Sequence, residues 1–163
     1  VEEKNLILLN QKQIQNLTIQ NSHRLIILDS CVFVEDKKCH GRILTAIAGK
    51  VGRYNLKLAL PKIVLYEVSK VTSTSPQKVY EQISKFFKDS TEVKITKDVF
   101  YEANRLETQF FEVHRSDSII LALARTTGAI LVTLDGKMRR SAKLDGIEAY
   151  SVKEFIKNWS VIA

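Results

Sequence analysis

The sequence predicts an α/β domain with a mainly parallel sheet and helices on both of its faces. Two continuous aliphatic runs, Leu25-Ile26-Ile27-Leu28 and Ala129-Ile130-Leu131-Val132, read as strands buried on both sides, as the strands of a parallel sheet do. Segments with helical spacing of apolar residues separate the strand-like runs, and that alternation builds parallel sheets. The 163 residues are 45% apolar and 26% charged, which suits one folded domain with a single core and excludes a disordered or fibrous chain.

The elements follow in order. Residues 1–22 are rich in Gln and Asn around the clump Leu6-Ile7-Leu8-Leu9 and read as an N-terminal extension, an added strand or helix or a dimer arm. The domain proper is expected over 23–163. Its first strand, Leu25 to Leu28, ends at Asp29. Gly41 to Val51 has Ile43, Leu44, Ile47 and Val51 at helical spacing. Leu56 to Leu60 reads as a short strand, and Pro61 as the first-turn residue of a helix running to about Val71. Ser75-Pro76 gives an N-cap and N1 proline for a helix with Val79, Ile83, Phe86 and Phe87 on one face. Val93-Lys94-Ile95 alternates as a strand. Asp98 is expected to cap a helix carrying Val99, Phe100, Ala103, Leu106, Phe110 and Phe111, and Ser116 one that ends at Gly128. The second aliphatic strand then leads to Thr133-Leu134-Asp135. A basic helix (Lys137 to Leu144), a short strand (Glu148 to Val152) and a final helix (Lys153 to Trp159) complete the pattern.

The charge is +7, from 25 Lys and Arg against 18 Asp and Glu, and it favours polyanionic partners. No apolar run approaches the ~20 residues that cross a bilayer, so no membrane role is expected. No secretory-signal pattern opens the sequence, and two cysteines, Cys31 and Cys39, make no disulfide framework. A cytoplasmic, reducing location is the expectation.

Ligands of open α/β sheets bind beyond the carboxyl ends of the strands, which singles out Asp29 and Asp135. Two further acids stand in apolar settings: Glu67 in Ile63-Val64-Leu65-Tyr66-Glu67-Val68, and Asp117 in the first turn before Ile119-Ile120-Leu121-Ala122. Each alone has an ordinary reading. Asp117 complements a helix N-terminus, Asp135 before Gly136 is a turn residue, and Glu67 pairs with Lys62 or Lys70. Together they describe four acids converging on one end of the sheet. Mutual repulsion would protonate some of them unless a cation intervened, and an all-oxygen site suits Mg²⁺ or Mn²⁺ rather than Zn²⁺.

Four stretches carry a resemblance. They are Leu25 to Phe33 around Asp29, Leu60 to Val68 around Glu67, Arg115 to Ala124 around Asp117, and Gly128 to Asp135. They resemble the signature blocks of PIN domains, in the family's order and at compatible spacing, and the resemblance covers about Arg24 to Trp159. It implies a three-layer α/β/α sandwich and Mg²⁺- or Mn²⁺-dependent ribonuclease activity, as in VapC-type toxins and rRNA-processing endonucleases. It implies one or two ions held by Asp29, Glu67, Asp117 and Asp135, with Asp29 and Asp117 as direct ligands and Glu67 as ligand or base. Ser30 and Thr133 match the family's hydroxyl positions and would support the site, whereas Cys31 departs from the usual Asn or Ser. Family members are often dimers, so a homodimer is expected. A VapC-like toxin would need a small antitoxin partner, and an RNA-maturation nuclease would not.

Lys137, Arg139, Arg140 and Lys143 crowd one segment after Asp135. Alone they read as a solvated helix face. Beside a metal site they read as contacts to an RNA backbone, with Lys37, Lys38 and Arg42 as further candidates. His23, His40, His114, Cys31 and Cys39 fit no zinc spacing. No G-x-S-x-G elbow, P-loop or G-x-G-x-x-G appears. The alternative function is a non-catalytic RNA-binding or protein-interaction module on the same fold. A flavodoxin-like phosphotransfer domain is disfavoured, because Cys31 stands where an Asp-x-Asp would need its second acid.

Overall fold

The computed structural model describes residues 23–110 and 112–160. At its centre is an all-parallel sheet of β1 (Arg24–Leu28), β2 (Leu56–Pro61), β3 (Ser90–Val93), β4 (Ile130–Val132) and β5 (Ala149–Tyr150), in the order β3-β2-β1-β4-β5. Eight helices flank it among the described residues. They are α1 (Ser30–Lys38), α2 (Arg42–Arg53), α3 (Lys62–Thr72), α4 (Pro76–Ser84), α5 (Lys97–Gln109), α6 (Arg115–Thr127), α7 (Gly136–Leu144) and α8 (Val152–Asn158). Ile26, Ile27 and Leu28 of β1 and all of β4 are buried whichever way their side chains point, so helices cover both faces. The α/β fold with a parallel central sheet is the one the two aliphatic runs predict.

The topology fixes where a site can form. The chain runs outward from β1 to β2 to β3, then returns to place β4 on the other side of β1. The strand order therefore reverses beside β1, and the crevice at the carboxyl ends of β1 and β4 is the switch point. In the parallel register Leu28 lies opposite Val132, and the Asp29 N–H donates to the Val132 carbonyl at 3.0 Å. Asp29 and Thr133 are thereby brought side by side.

Local chemistry corrects several sequence expectations. Pro61 is the last residue of β2 and holds the N-cap position of α3, with extended backbone (ψ 140°); it does not lie in the first turn. Thr96, not Asp98, caps α5, because its hydroxyl reaches the Val99 N–H while Asp98 lies inside the first turn. His114 holds the N-cap position of α6, and Ser116 lies inside the helix. The third strand is Ser90–Val93 rather than 93–95, because pairing with β2 sets Leu58 against Ser90 and Pro61 against Val93. The last strand stops at Tyr150, since Ser151 and Glu154 form a capping box that starts α8. Helix α5 ends at Gln109, with Phe110 as its C-cap. Phe111 and the expected N-terminal arm lie outside the described residues.

Helix α1 was not legible in the sequence, and it brings a buried acid, Asp36. The Asp36 carboxylate accepts from the Leu44 N–H at 2.8 Å, so a side chain at the end of α1 caps the start of α2. Between them Gly41 has φ 81°, a left-handed backbone that favours glycine, and a Cβ there would press on the Phe86 ring at 3.1 Å. Replacing Asp36 by Ala strands the Leu44 N–H and should cost about 1–3 kcal/mol. Thermal unfolding should show a lower midpoint, and an unchanged one would contradict this role.

Candidate active site

Asp29 is the N-cap of α1 and is only 5% exposed. A carboxylate that deep needs donors, and three converge on it. The Ser30 N–H reaches Oδ1 at 2.8 Å, the Thr133 hydroxyl reaches Oδ2 at 2.8 Å, and the Cys31 thiol reaches Oδ2 at 3.3 Å. Thr133 in turn accepts from the Asp135 N–H at 3.1 Å, tying the turn after β4 to the end of β1.

Glu67 reaches the same region from α3, where Oε2 accepts from the Ser30 hydroxyl at 2.6 Å. Ser30 thus links two of the acids: its N–H serves Asp29 and its hydroxyl serves Glu67. Asp135 is the N-cap of α7, its Oδ1 accepting from Lys137 N–H at 2.9 Å and Met138 N–H at 3.2 Å. Asp117 is half-buried in the first turn of α6, and its carboxylate makes no hydrogen bond among the described residues. Burial first, and then the charges of Asp29, Asp135 and Glu67 in that order, push its pKa up to about 6 against a downward pull from His114. The four acids that the sequence singles out therefore lie in one electrostatic neighbourhood at the carboxyl ends of β1 and β4.

Electrostatic proximity is weaker than coordination. Coulomb repulsion acts over roughly 10 Å, whereas a carboxylate oxygen binds Mg²⁺ at about 2 Å. Among the described residues no three His, Cys, Asp or Glu side chains stand close enough to hold an ion together. Asp29, Glu67 and Asp135 are each turned onto donors of the protein itself. The donor set is nonetheless all oxygen and mutually repulsive, which is the chemistry a hard divalent cation relieves.

Cys31 is the residue whose role the sequence left open. Its sulfur accepts from the Leu134 N–H at 3.4 Å and lies 3.5 Å from the Thr133 hydroxyl. Burial, and then the neighbouring Asp29 charge, push its thiol up to about 11. The signal for this role was its place in the first turn of α1, the helix missed in the sequence.

The basic segment divides. Lys137 and Arg140 are exposed on α7. Arg139 donates to the Thr133 carbonyl at 2.7 Å, and Lys143 lies 3.9 Å from Glu154. Among the described residues, no helix is long and apolar enough to cross a membrane.

Comparison with known proteins gives this arrangement a class. The family model for the PIN domain matches residues 26–144, and the chain belongs to that family. Solved structures of similar fold include VapBC-1 from nontypeable Haemophilus influenzae (14% identity, TM-score 0.61, covering 79% of this chain and 98% of that one). Another is VapBC2 from Rickettsia felis bound to a DNA fragment from their promoter (17%, TM-score 0.62, 78% and 98%). A third is PAE2754 from Pyrobaculum aerophilum (14%, TM-score 0.56, 82% and 94%). At these identities the likeness is one of fold. A search of curated proteins found no match to the chain.

The raised Asp117 pKa has a consequence for stability. A folded-state pKa above the ordinary aspartate value of 3.8 means that the folded protein holds the extra proton between about pH 4 and 6. Stability therefore falls as pH rises through that window. In EDTA at pH 7, Asp117→Asn should unfold at a higher temperature than the parent chain. The gain should be on the order of 1–2 kcal/mol after allowance for solvent screening, and it should vanish below about pH 4. Equal midpoints at pH 7 would show that the four charges do not interact as described.

Proposed function

We propose that this protein is a divalent-metal-dependent endoribonuclease whose acidic cluster hydrolyses RNA phosphodiester bonds. The observation that carries the reading is the set of charges acting on Asp117. Carboxylates from α6, the end of β1, the start of α7 and α3 share one field at the switch point, supported by hydroxyls that hold two of them. Membership of the PIN-domain family supports the same reading.

Asp29, Glu67, Asp117 and Asp135 are the residues that would hold Mg²⁺ or Mn²⁺, as one or two ions. A bound ion would lower the pKa of water, orient the phosphate and neutralise charge on the leaving oxygen. The chain's own residues set the geometry. Thr133 and Ser30 fix the direction of the Asp29 carboxylate, and the Ser30 hydroxyl holds Glu67. Lys137 and Arg140 stand exposed beside Asp135, where an RNA backbone leaving the site would meet positive charge.

Two of the solved structures of similar fold are VapBC assemblies, which favours a toxin-type role with a small antitoxin protein as partner over RNA maturation. A homodimer and a cytoplasmic location complete the proposal. One observation favours a second reading, a non-catalytic RNA-binding or protein-interaction module: the carboxylates are turned onto protein donors rather than onto a common centre.

Incubation with structured and unstructured RNAs separates the two. Cleavage should appear with Mg²⁺ or Mn²⁺ and stop in EDTA. Asp29→Asn and Asp117→Asn should each abolish it while the fold persists. Ser30→Ala and Thr133→Val should cost ~10–100-fold, the usual effect of removing a group that orients a ligand. Activity should fall as salt rises. Cleavage that survives EDTA, or both Asp substitutions, would refute the assignment.

A further inference from the structure

The acidic cluster has unlike neighbours on its two sides. On the β4 side α7 presents Lys137 and Arg140, as described. On the β2 side the sequence that carries Glu67 also carries Tyr66, which is 61% exposed although aromatic. Tyr66 opens onto a cleft of about 270 Å³ between α3 and α4, lined by Lys62, Leu65, Tyr66, Pro76, Gln77 and Tyr80. Tyr80, on α4, is 43% exposed. Two phenol rings thus line an open slot with Leu65 and Pro76, and its polar groups are Lys62 and Gln77. The Lys62 ammonium lies 3.3 Å from Glu92.

We propose that this cleft is a nucleobase subsite, which takes an unpaired base of single-stranded RNA beside the acidic cluster and stacks it on Tyr66 or Tyr80. The proposal rests on the reading of the chain as an RNA-cleaving protein and names how that RNA is gripped.

Four observations favour a base over other occupants. The cleft is smaller than the roughly 300–1,000 Å³ of sites for drug-sized ligands, so it suits one planar ring system and not a helix. Its exposed aromatics suit stacking, which accepts any base because every base has a π-face. Its polar residues, a cation and an amide, can pair with a phosphate or a base edge, and Gln77 is both donor and acceptor. Its position is set by the chain: Lys62 opens α3 directly after the end of β2, so the cleft lies at the carboxyl-end side of the sheet, and Tyr66 and Glu67 project from the same turn of α3 about 100° apart, one towards the cleft and the other to the Ser30 hydroxyl. A strand crossing the sheet's carboxyl end would pass from phosphate contacts at α7, over the acids, to base contacts at Tyr66. The grip is then divided between charge on one side and stacking on the other.

Binding is measured without cleavage, by anisotropy of a labelled single-stranded RNA of about 8 nucleotides in EDTA. Tyr66→Ala and Tyr80→Ala should each weaken binding ~5–100-fold, while Tyr66→Phe and Tyr80→Phe should stay within about twofold, since the ring and not the hydroxyl does the stacking. The slope of log affinity against log salt should be unchanged in the Ala variants, because no phosphate contact is lost. Lys137→Ala should lower that slope by about 0.7. Tyr101→Ala removes an exposed aromatic that does not line the cleft and should bind as the parent does. A duplex RNA of the same sequence, whose bases are paired, should show no dependence on either tyrosine.

The proposal is overturned if the parent chain binds no single-stranded RNA in EDTA, or if both Ala variants bind it as the parent does. It is overturned equally if those variants change only the oligomeric state in sedimentation, which would make the face a protein interface. The two readings fail separately. Tyrosine-dependent binding without metal-dependent cleavage would retire the nuclease and keep the subsite. Cleavage indifferent to both tyrosines would retire the subsite and keep the nuclease.

Discussion

Burying a carboxylate at the carboxyl end of a parallel sheet carries a large desolvation cost unless donors are already in place, and Asp29 meets that condition by drawing on three neighbours. The β1–β4 register brings Thr133 alongside, the start of α1 supplies the Ser30 N–H, and Cys31 folds back from the same turn. A fixed negative charge at the switch point then conditions what surrounds it. Glu67 is linked to it through the shared Ser30 hydroxyl, and Asp135 is satisfied by the positive end of α7. Asp117 has no such partner among the described residues, and burial together with the neighbouring charges raises its pKa. Of the four acids, three accept hydrogen bonds from the protein and one, Asp117, accepts none among the described residues.

Much of this was legible because the strongest patterns in the sequence are those of its most buried parts. Continuous aliphatic runs announced β1 and β4, and Gly128 marked the end of α6. The acids stood out because charge is rare beside such runs. The misreadings share a physical cause. Helix α1 has a weak amphipathic pattern: its buried face includes the acid Asp36, whose partner lies on α2. The short edge strands took their boundaries from pairing rather than from alternation, so β3 begins three residues before the expected Val93. At α5 the cap went to Thr96, whose hydroxyl accepts from the Val99 N–H, while His114 holds the N-cap position of α6 by backbone conformation without a side-chain bond, neither of which sequence spacing resolves.

The surface charge is more divided than the net figure conveys. Positive charge on α7 is partly committed within the protein, through Arg139 to the Thr133 carbonyl and Lys143 towards Glu154. Elsewhere Arg105 and Arg125 converge on Asp145, so two more cations serve the packing of α5 and α6 against the end of α7. What is left for a polyanion is a smaller and more localised set than the total implies. Its position beside the acids therefore matters more than its size.

Thr133 spends every polar group it has. Its N–H donates to the Tyr150 carbonyl at 3.0 Å, and its carbonyl accepts from Arg139. Its hydroxyl donates to Asp29 while accepting from the Asp135 N–H. Fully enclosed, it has no solvent with which to exchange any of these bonds. One residue therefore works as a mechanical joint among β1, β5 and α7. A displacement of the outer strand or of the basic helix reaches the Asp29 carboxylate through a chain of two hydrogen bonds, and the outer layers of the domain share in holding the aim of that buried acid.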